Sequence, residues 1–183
     1  MKYCIDPGHG FSDPGAIGST GLKEKDVVLS ISKFVLLGLQ QSGHDGILTR
    51  EGDFARTLQE RCDIANNTDG VDRFVSIHAN SFSDPAANGF EVWTSPGWTP
   101  ADPIATNVFN YVRETFPNLR GRVDASDGDP DKESKFYVLI HTNMPAILVE
   151  TAFISNPKEQ AWLRDVGWQM RMAGAILSGI TTP

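Results

Sequence analysis

Four side chains lie where an α/β protein commonly does its chemistry. His9 follows the first apolar run of the chain across a Pro-Gly turn, His78 closes a second apolar run, and Glu150 closes a third. Glu24 lies at the start of the first long amphipathic segment. Because functional groups of parallel sheets collect at the carboxyl ends of the strands, we expect the strand-end groups to share a cleft.

These residue types predict a zinc-dependent amide hydrolase. Two imidazoles and one carboxylate form a common catalytic zinc site, in which water keeps the fourth position. A second carboxylate that does not touch the metal can take a proton from that water and pass it to a leaving amine. With Glu24 and Glu150 both available, one glutamate is free for this role, and the residues alone do not decide which one. A short HExxH motif is absent from the sequence, so the prediction depends on the strand ends.

Alternating strands and helices must position these groups. Strands are predicted at Lys2–Asp6, Gly46–Thr49, Arg73–His78, Phe90–Thr94, Gly121–Ala125 and Ala146–Thr151. Helices are predicted at Glu24–Gln41, Phe54–Asn67, Asp102–Phe116, Asn156–Leu163 and about Val166–Ile180. This alternation predicts one α/β domain over residues 1–183, with a mostly parallel sheet and helices on both faces.

Composition excludes several classes of partner. The net charge of −7 argues against nucleic acid and against an anionic membrane or polymer as a partner bound by bulk charge. No apolar run approaches the ~20 residues of a membrane span. The two cysteines, Cys4 and Cys62, are expected to be buried reduced thiols. Because the first predicted strand begins almost at Met1, we expect no secretory signal before it and synthesis in the cytoplasm.

Three further features have both a functional and a structural interpretation. Asp6 either orients His9 or only caps the turn. His141 could line the cleft, but a satisfied, partly buried histidine is favoured. The aspartates of the loop Asp124–Asp131 suggest a calcium site, yet the loop fails the EF-hand pattern because apolar residues fall at ligand positions. A solvated loop is therefore predicted there.

Short motifs are spread in order over nearly the whole chain. They are Ile5–Gly10, Asp13–Ala16, Gly21–Asp26, Leu48–Arg50, Ser76–Asn80, Gly89–Val92, Met144–Thr151 and Phe153–Pro157. Together they resemble the zinc-dependent N-acetylmuramoyl-L-alanine amidases of the third amidase family, bacterial and phage enzymes that cut peptidoglycan. Any one block is a moderate signal, and all of them in order are a strong one.

The resemblance implies a role for each of the four side chains. His9, Glu24 and His78 match the family's Zn²⁺ ligands, and Glu150 matches its catalytic glutamate. The family implies a twisted six-stranded sheet flanked by helices. It also implies hydrolysis of the amide between N-acetylmuramic acid and L-alanine of the stem peptide, with peptidoglycan as the partner. We further expect a monomer, a phage endolysin made in the cytoplasm that acts on the cell wall.

Two departures from the family pattern and two rival functions remain. Ala152 stands where the family often has glycine, a small change. The stretch Asp124–Ser134 is long and acidic, and we hypothesise that it contacts the stem peptide. The rival functions are a zinc peptidase that cuts within the stem peptide and a non-catalytic peptidoglycan-binding domain. Product analysis separates the first rival from an amidase, and the presence of all four polar residues argues against the second.

Overall fold

A six-stranded sheet forms the centre of the computed structural model, which describes residues 1–126 and 128–182. Its strands are β1 (Lys2–Pro7), β2 (Asp45–Leu48), β3 (Val71–Asn80), β4 (Glu91–Thr94), β5 (Lys132–Glu133) and β6 (Ala146–Phe153). The helices are α1 (Glu24–Gln41), α2 (Leu58–Asn66), α3 (Asp102–Thr115), α4 (Tyr137–Ile140), α5 (Pro157–Arg164) and α6 (Val166–Thr181). None of the helices in the described ranges is long and apolar enough to cross a membrane.

The order of the strands creates a crevice at the carboxyl ends of β1 and β3. The sheet order is β2-β1-β3-β6-β4-β5, and every neighbouring pair is parallel except β4 with β6. From β1 the chain continues to β2 on one side, whereas β3 lies on the other side of β1. Ligands of open α/β sheets bind where the direction of winding changes in this way. The predicted mostly parallel sheet with six strands is confirmed.

Alternation along the strands builds a hydrophobic core on each face of the sheet. Tyr3 and Ile5 of β1 pack into the larger core with α1, α3 and α6, whereas Cys4 between them faces a smaller core with α2 and α4. Ile147 and Leu148 of β6 divide between the two cores in the same way. Successive side chains of a strand point to opposite faces, so strands covered on both sides are apolar at nearly every position. Cys4 and Cys62 are free and buried, as predicted.

The predicted strand at Gly121–Ala125 is wrong. Gly121 forms only an isolated bridge to Phe90, and the described chain then leaves the sheet. The strand beside β4 is β5, which lies inside the acidic stretch Asp124–Ser134. Asp131 just before it is buried, so the prediction of a solvated loop is wrong at this end of the stretch. Asp127 of that stretch, like the terminal Pro183, lies outside the described residues. A two-residue strand with charged side chains has no apolar alternation by which it could be predicted.

Two helices differ from the predictions: α2 begins later than expected, and α4 was not expected at all. α2 begins at Leu58 and not near Phe54, because Thr57 caps it in a capping box with Glu60. α4 was not predicted, since a single turn is too short to show a helical period. Both helices border the crevice, so these differences change the shape of its wall and not the architecture of the sheet.

Candidate metal centre

His9, Glu24 and His78 meet at the carboxyl ends of β1 and β3. Each offers one ligand atom, and these atoms lie within 4.8 Å of one another. Glu24 Oε1 is 3.1 Å from His9 Nε2 and 3.0 Å from His78 Nδ1. The two imidazole rings stand nearly perpendicular with centroids 5.0 Å apart. Two nitrogens and one oxygen converging on one point match the donor set of a catalytic zinc site.

Backbone amides hold the Glu24 carboxylate in this position. Glu24 is the first residue of α1, and its Oε2 accepts a hydrogen bond from the Ala16 amide while Oε1 accepts one from the Ala79 amide. Gly15 has φ +65°, and a Cβ on it would lie 2.6 Å from Glu24 Oε2 and from the His9 ring. A side chain at position 15 would therefore displace two of the three converging groups.

Two buried arginines hold the turn that carries His9. His9 itself has φ +59°, an uncommon conformation for a residue other than glycine. The Arg50 guanidinium donates to the carbonyls of Pro7 and Gly8, and Arg61 donates to those of Pro7 and His9. These charged donors bind carbonyls at the end of β1 and in the turn that follows it. Arg61 was missed in the sequence because one arginine in a helix is ordinarily a surface residue.

Asp13, and not Asp6, orients the His9 ring. Asp13 Oδ2 lies 2.8 Å from His9 Nδ1, and its Oδ1 accepts a hydrogen bond from the Gly15 amide. A carboxylate on Nδ1 fixes the proton there and leaves Nε2 to face the other ligands. The interpretation of Asp6 as the orienting group is wrong. The only signal for Asp13 in the sequence is its position in the Asp-Pro-Gly motif that follows the histidine.

Asp6 instead anchors a buried polar network under the turn. It is 1% exposed and accepts hydrogen bonds from Thr49, Ser76 and Arg61. Burial by itself would raise the pKa of the Asp6 carboxyl, but the Arg61 charge and the three hydrogen bonds together hold this pKa below its ordinary value. The Asp6–Arg61 pair thus fixes the end of β1 from below.

Removal of Arg61 is expected to destabilise the fold strongly. Arg61→Leu leaves the Asp6 charge buried without its partner, which typically costs about 3–5 kcal/mol in the free energy of unfolding. Because the pKa of Asp6 is depressed in the folded wild type, the pair contributes fully above about pH 4 and loses its contribution as the pH falls further. Urea unfolding at neutral and acidic pH measures both effects. Arg120→Leu on the surface is the control, and an equal loss in both variants would contradict the role of the pair.

The electrostatic environment of the three converging groups favours positive charge. Burial opposes protonation of His9, but its hydrogen bonds to Glu24 and Asp13 raise its pKa to about 9. Burial likewise lowers the pKa of His78, but the hydrogen bond to Glu24 and the charges of Glu150 and Glu24 more than offset this, so that the pKa is raised overall. Burial would raise the pKa of Glu24, whereas the two imidazoles lower it strongly. The carboxylate is therefore ionised and attracts a cation to this point.

Glu150 lies beside the three groups on the neighbouring strand. In the sheet it stands opposite His78 of β3 on one side and Glu91 of β4 on the other. Its Oε2 is buried, and no residue in 1–126 or 128–182 donates a hydrogen bond to it. Burial raises the pKa of Glu150 to about 7, with His78 opposing this shift and the other two carboxylates adding to it. A buried oxygen without a donor, facing a cleft, is the kind of group that interacts with a ligand.

Basic residues neutralise the second carboxylate beside Glu150. Glu91 is buried and forms ion pairs with Arg122 and Lys132, and it accepts a hydrogen bond from the Trp93 indole at 3.1 Å. Because Glu91 is satisfied in this way, it differs from Glu150, whose free oxygen has no such partners. Glu91 therefore has a structural role, whereas Glu150 is available to interact with a ligand.

His9 and His78, together with Glu150, line a cleft of about 470 Å³. Glu24, which contacts both histidines, is buried and is not among the lining residues. One wall is the beginning of α2 and the other is α4, and the residues of these walls are Arg56, Thr57, Leu58, Phe136, Tyr137 and Val138. His141 is not among the lining residues. It is exposed and stacks on Tyr137 with ring centroids 3.8 Å apart, so the expectation of a partly buried histidine is wrong.

Comparison with known proteins identifies relatives over nearly the whole chain. Residues 4–182 match the family model described as N-acetylmuramoyl-L-alanine amidase. The chain is 37% identical to the N-acetylmuramoyl-L-alanine amidase LytC of Bacillus subtilis over 96% of its own length and 34% of LytC. It is 33% identical to the N-acetylmuramoyl-L-alanine amidase AmiA of Escherichia coli, and the match covers 96% of this chain and 73% of AmiA. It thus spans about a third of the first relative and most of the second.

A solved structure shows the same fold. The amidase AmiC2 of Nostoc punctiforme superposes with a TM-score of 0.90 at 38% sequence identity, and the match covers 98% of this chain and 94% of that one. The architecture of sheet and helices described above is therefore the architecture of known amidase domains.

Proposed function

Because the chain belongs to the N-acetylmuramoyl-L-alanine amidase family, a family of amide hydrolases, we propose that it cleaves the bond between N-acetylmuramic acid and L-alanine in peptidoglycan. The observation that carries this proposal is the meeting of His9, Glu24 and His78 beside the free Glu150 oxygen, with both histidines and Glu150 lining one cleft. Three potential metal ligands next to an available carboxylate are what metal-assisted amide hydrolysis needs.

His9, Glu24 and His78 would hold Zn²⁺. Their two nitrogens and one carboxylate oxygen have the ligand chemistry that zinc prefers, and the ionised Glu24 supports a divalent charge. Asp13 behind His9 and the Ala16 and Ala79 amides behind Glu24 orient the ligands, as outer partners do in metal sites. When bound, zinc supplies a Lewis acid that acidifies water and polarises a carbonyl group.

Glu150 would move the proton during hydrolysis. Its free Oε2 accepts a proton from the attacking water and later delivers it to the departing nitrogen of L-alanine. A carboxyl whose pKa is raised towards neutrality serves both steps, because it is neither too weak a base nor too weak an acid. Glu91, held by Arg122 and Lys132, keeps a fixed charge beside it and takes no part in the transfer.

Product analysis tests the proposed reaction. Purified peptidoglycan is digested with the zinc-loaded protein, and the soluble products are identified by mass spectrometry. Free stem peptides that begin with L-alanine are expected, with loss of the products on chelation and their return on addition of zinc. Cleavage inside the stem peptide would instead favour a peptidase. Bound zinc without any product would favour a non-catalytic wall-binding domain.

Loss of the Asp13 carboxylate is expected to weaken zinc binding without abolishing the fold. Asp13→Ala removes the partner that orients His9, and loss of such a partner typically lowers metal affinity or activity about 10–100-fold. Competition with a chromogenic chelator measures the zinc affinity. Asp84→Ala is a matched control, because Asp84 accepts an amide hydrogen bond two residues along the chain as Asp13 does, but outside the cleft. Equal zinc affinity in both variants would remove Asp13 from the site.

The biological setting stays a prediction. The relatives compared above are bacterial amidases, and the expected phage origin, synthesis in the cytoplasm and monomeric state are not tested by them. The contact between the stretch Asp124–Ser134 and the stem peptide also stays a hypothesis. Shortening that stretch should then change the preference among stem-peptide variants.

A further inference from the structure

Three aspartates from two distant parts of the chain meet near the β5 edge of the sheet. Asp102 is the first residue of α3, and Asp129 and Asp131 come just before β5. One carboxylate oxygen from each lies within 4.8 Å of the others. Oxygens around a calcium ion lie about 2.3–2.6 Å from it, so two on opposite sides stand up to about 5 Å apart. The three carboxylates are therefore close enough to share one ion.

Burial makes this cluster costly without a positive charge. Asp131 is 2% exposed and Asp102 is 4% exposed. Oδ1 of Asp131 and Oδ1 of Asp129 are buried, and no donor among the described residues reaches either atom. Buried carboxylate oxygens ordinarily have hydrogen-bond partners or bind a cation. Two free oxygens that belong to neighbouring carboxyls point to a ligand that is shared between them.

Neutral donors orient two of the three carboxyls, those of Asp131 and Asp102. The Thr94 hydroxyl donates to Asp131 Oδ2 at 2.7 Å, and the Thr99 amide and hydroxyl donate to Asp102 Oδ2. These bonds turn the carboxyls without reducing their charge. Burial, together with the carboxyl of Asp129, raises the pKa of Asp131, as expected where negative charges crowd together.

The described basic residues do not pair with the cluster. Lys132 follows Asp131 directly, but its ammonium group reaches Glu91 at 3.0 Å and lies over the Trp93 ring. Within residues 1–126 and 128–182, none of Asp102, Asp129 and Asp131 forms an ion pair with Lys, Arg or His. No basic side chain in the described part of the chain therefore compensates the negative charge of the cluster.

We propose that Asp102, Asp129 and Asp131 form a binding site for a divalent cation, and that the cation is Ca²⁺. The ligands are carboxylate oxygens alone, which suit hard cations and not zinc or copper. Two of the ligands come from an irregular segment, which can adapt to the variable geometry of calcium more readily than to the strict octahedron of Mg²⁺. This site differs from an EF-hand because one ligand comes from a helix distant in sequence.

The site is distinct from the cluster of His9, Glu24 and His78. β4 runs antiparallel to β6, so Glu91 at its start stands beside Glu150, while Thr94 at its end has moved away from it. A cation on the aspartates would join the segment before β5 to β4 and α3. Lys132, which forms an ion pair with Glu91, comes directly after this segment in the sequence. We therefore expect the cation to stabilise the β5 edge and, through Lys132, the surroundings of Glu150.

Thermal unfolding with CaCl₂ tests the site in the zinc-loaded full chain, in which the histidine ligands are already occupied. At a hundredfold excess over the dissociation constant, the melting temperature is expected to rise by about 5–10 °C. Terbium luminescence under direct excitation of the ion gives a second measurement, with TbCl₃ as the probe. MgCl₂ at the same concentration is expected to give a clearly smaller thermal shift, since calcium is the ion proposed.

Substitutions in the cluster complete the test. Asp131→Asn and Asp129→Asn are expected to lose the thermal shift and the terbium signal, whereas Asp124→Asn in the same stretch keeps both, because Asp124 is exposed. If Asp131→Asn does not fold, Asp129→Asn carries the test, since Asp129 is only partly buried. No shift in the wild type at about 10 mM CaCl₂, above the weak range of calcium modules, would overturn the proposal. An equal shift with MgCl₂, or in the cluster variants, would overturn it as well.

Discussion

Glu150→Gln is expected to lower the rate of peptidoglycan hydrolysis by about 10²–10⁴-fold, the usual contribution of a general acid or base. The amide of glutamine keeps the shape of the side chain but cannot take up and return a proton. Glu150 is also not one of the three converging ligand groups, so the zinc content is expected to stay at the wild-type level. Release of stem peptides and elemental analysis of the same preparation measure the two quantities.

The control for this variant is a glutamate with the same chemistry and no part in the cleft. Glu114→Gln on the exposed side of α3 is expected to leave both rate and zinc unchanged. Loss of zinc from Glu150→Gln would mean that the roles of Glu24 and Glu150 are exchanged. Full activity would mean that another group moves the proton.

Replacement of either histidine is expected to remove zinc and activity together. His9→Ala and His78→Ala each delete one of three ligands, so the loss of affinity should exceed the roughly 10–100-fold cost of losing an outer partner. Zinc per protein after dialysis is expected to fall well below the wild-type value, and hydrolysis is expected to fall with it. High external zinc should restore part of the activity if the protein remains folded, which circular dichroism would show.

His44→Ala separates ligand loss from a general effect of removing an imidazole. His44 lies in the turn between α1 and β2 and packs against Tyr3, away from the cleft. The His44→Ala variant is expected to bind zinc and hydrolyse peptidoglycan as the wild type does. Normal zinc content in His78→Ala with activity lost would indicate that His78 contacts the substrate and not the metal.

These two experiments divide the site into a part that holds the ion and a part that moves the proton. The division has a basis in the sheet, where His78 and Glu150 stand opposite each other on neighbouring strands. The His78 ring contacts Glu24, whereas Glu150 has a buried oxygen without a donor in the described chain. Adjacent positions in a ladder thus have different surroundings and different expected chemistry.

Local patterns predicted most of the sheet because its central strands are covered on both faces. Ile147–Val149 is continuously apolar for that reason, and Phe74–Ile77 is apolar except at Ser76. The residue after each run falls at the carboxyl edge of the sheet. The approximate places of His78 and Glu150 followed from this pattern. Glu24 was a candidate from its place at the start of the first long helix, but its role as a metal ligand needed the family resemblance. A glutamate at the start of a helix is ordinarily only a favourable charge there.

Edges and short elements could not be predicted in the same way. The strand expected at Gly121–Ala125 does not exist, while β5 has no apolar signal and depends on pairing with β4. The acidic stretch failed the EF-hand pattern because that pattern looks for ligands close together in sequence. Asp102 lies far from Asp129 and Asp131 along the chain, and the fold of α3 against the sheet brings them together.

The amino-acid sequence was enough for the class of fold, the family and the four side chains proposed for chemistry, because these depend on periodicity, strand ends and short motifs. The partners of those side chains depended on the folded chain. Asp13 behind His9, Arg61 over Asp6 and the meeting of three aspartates are contacts whose geometry arises from turns and packing, and no local pattern specifies which residues will lie within hydrogen-bonding distance. Residue type sets what a group can do, and tertiary packing sets its neighbours, and with them its charge and its orientation.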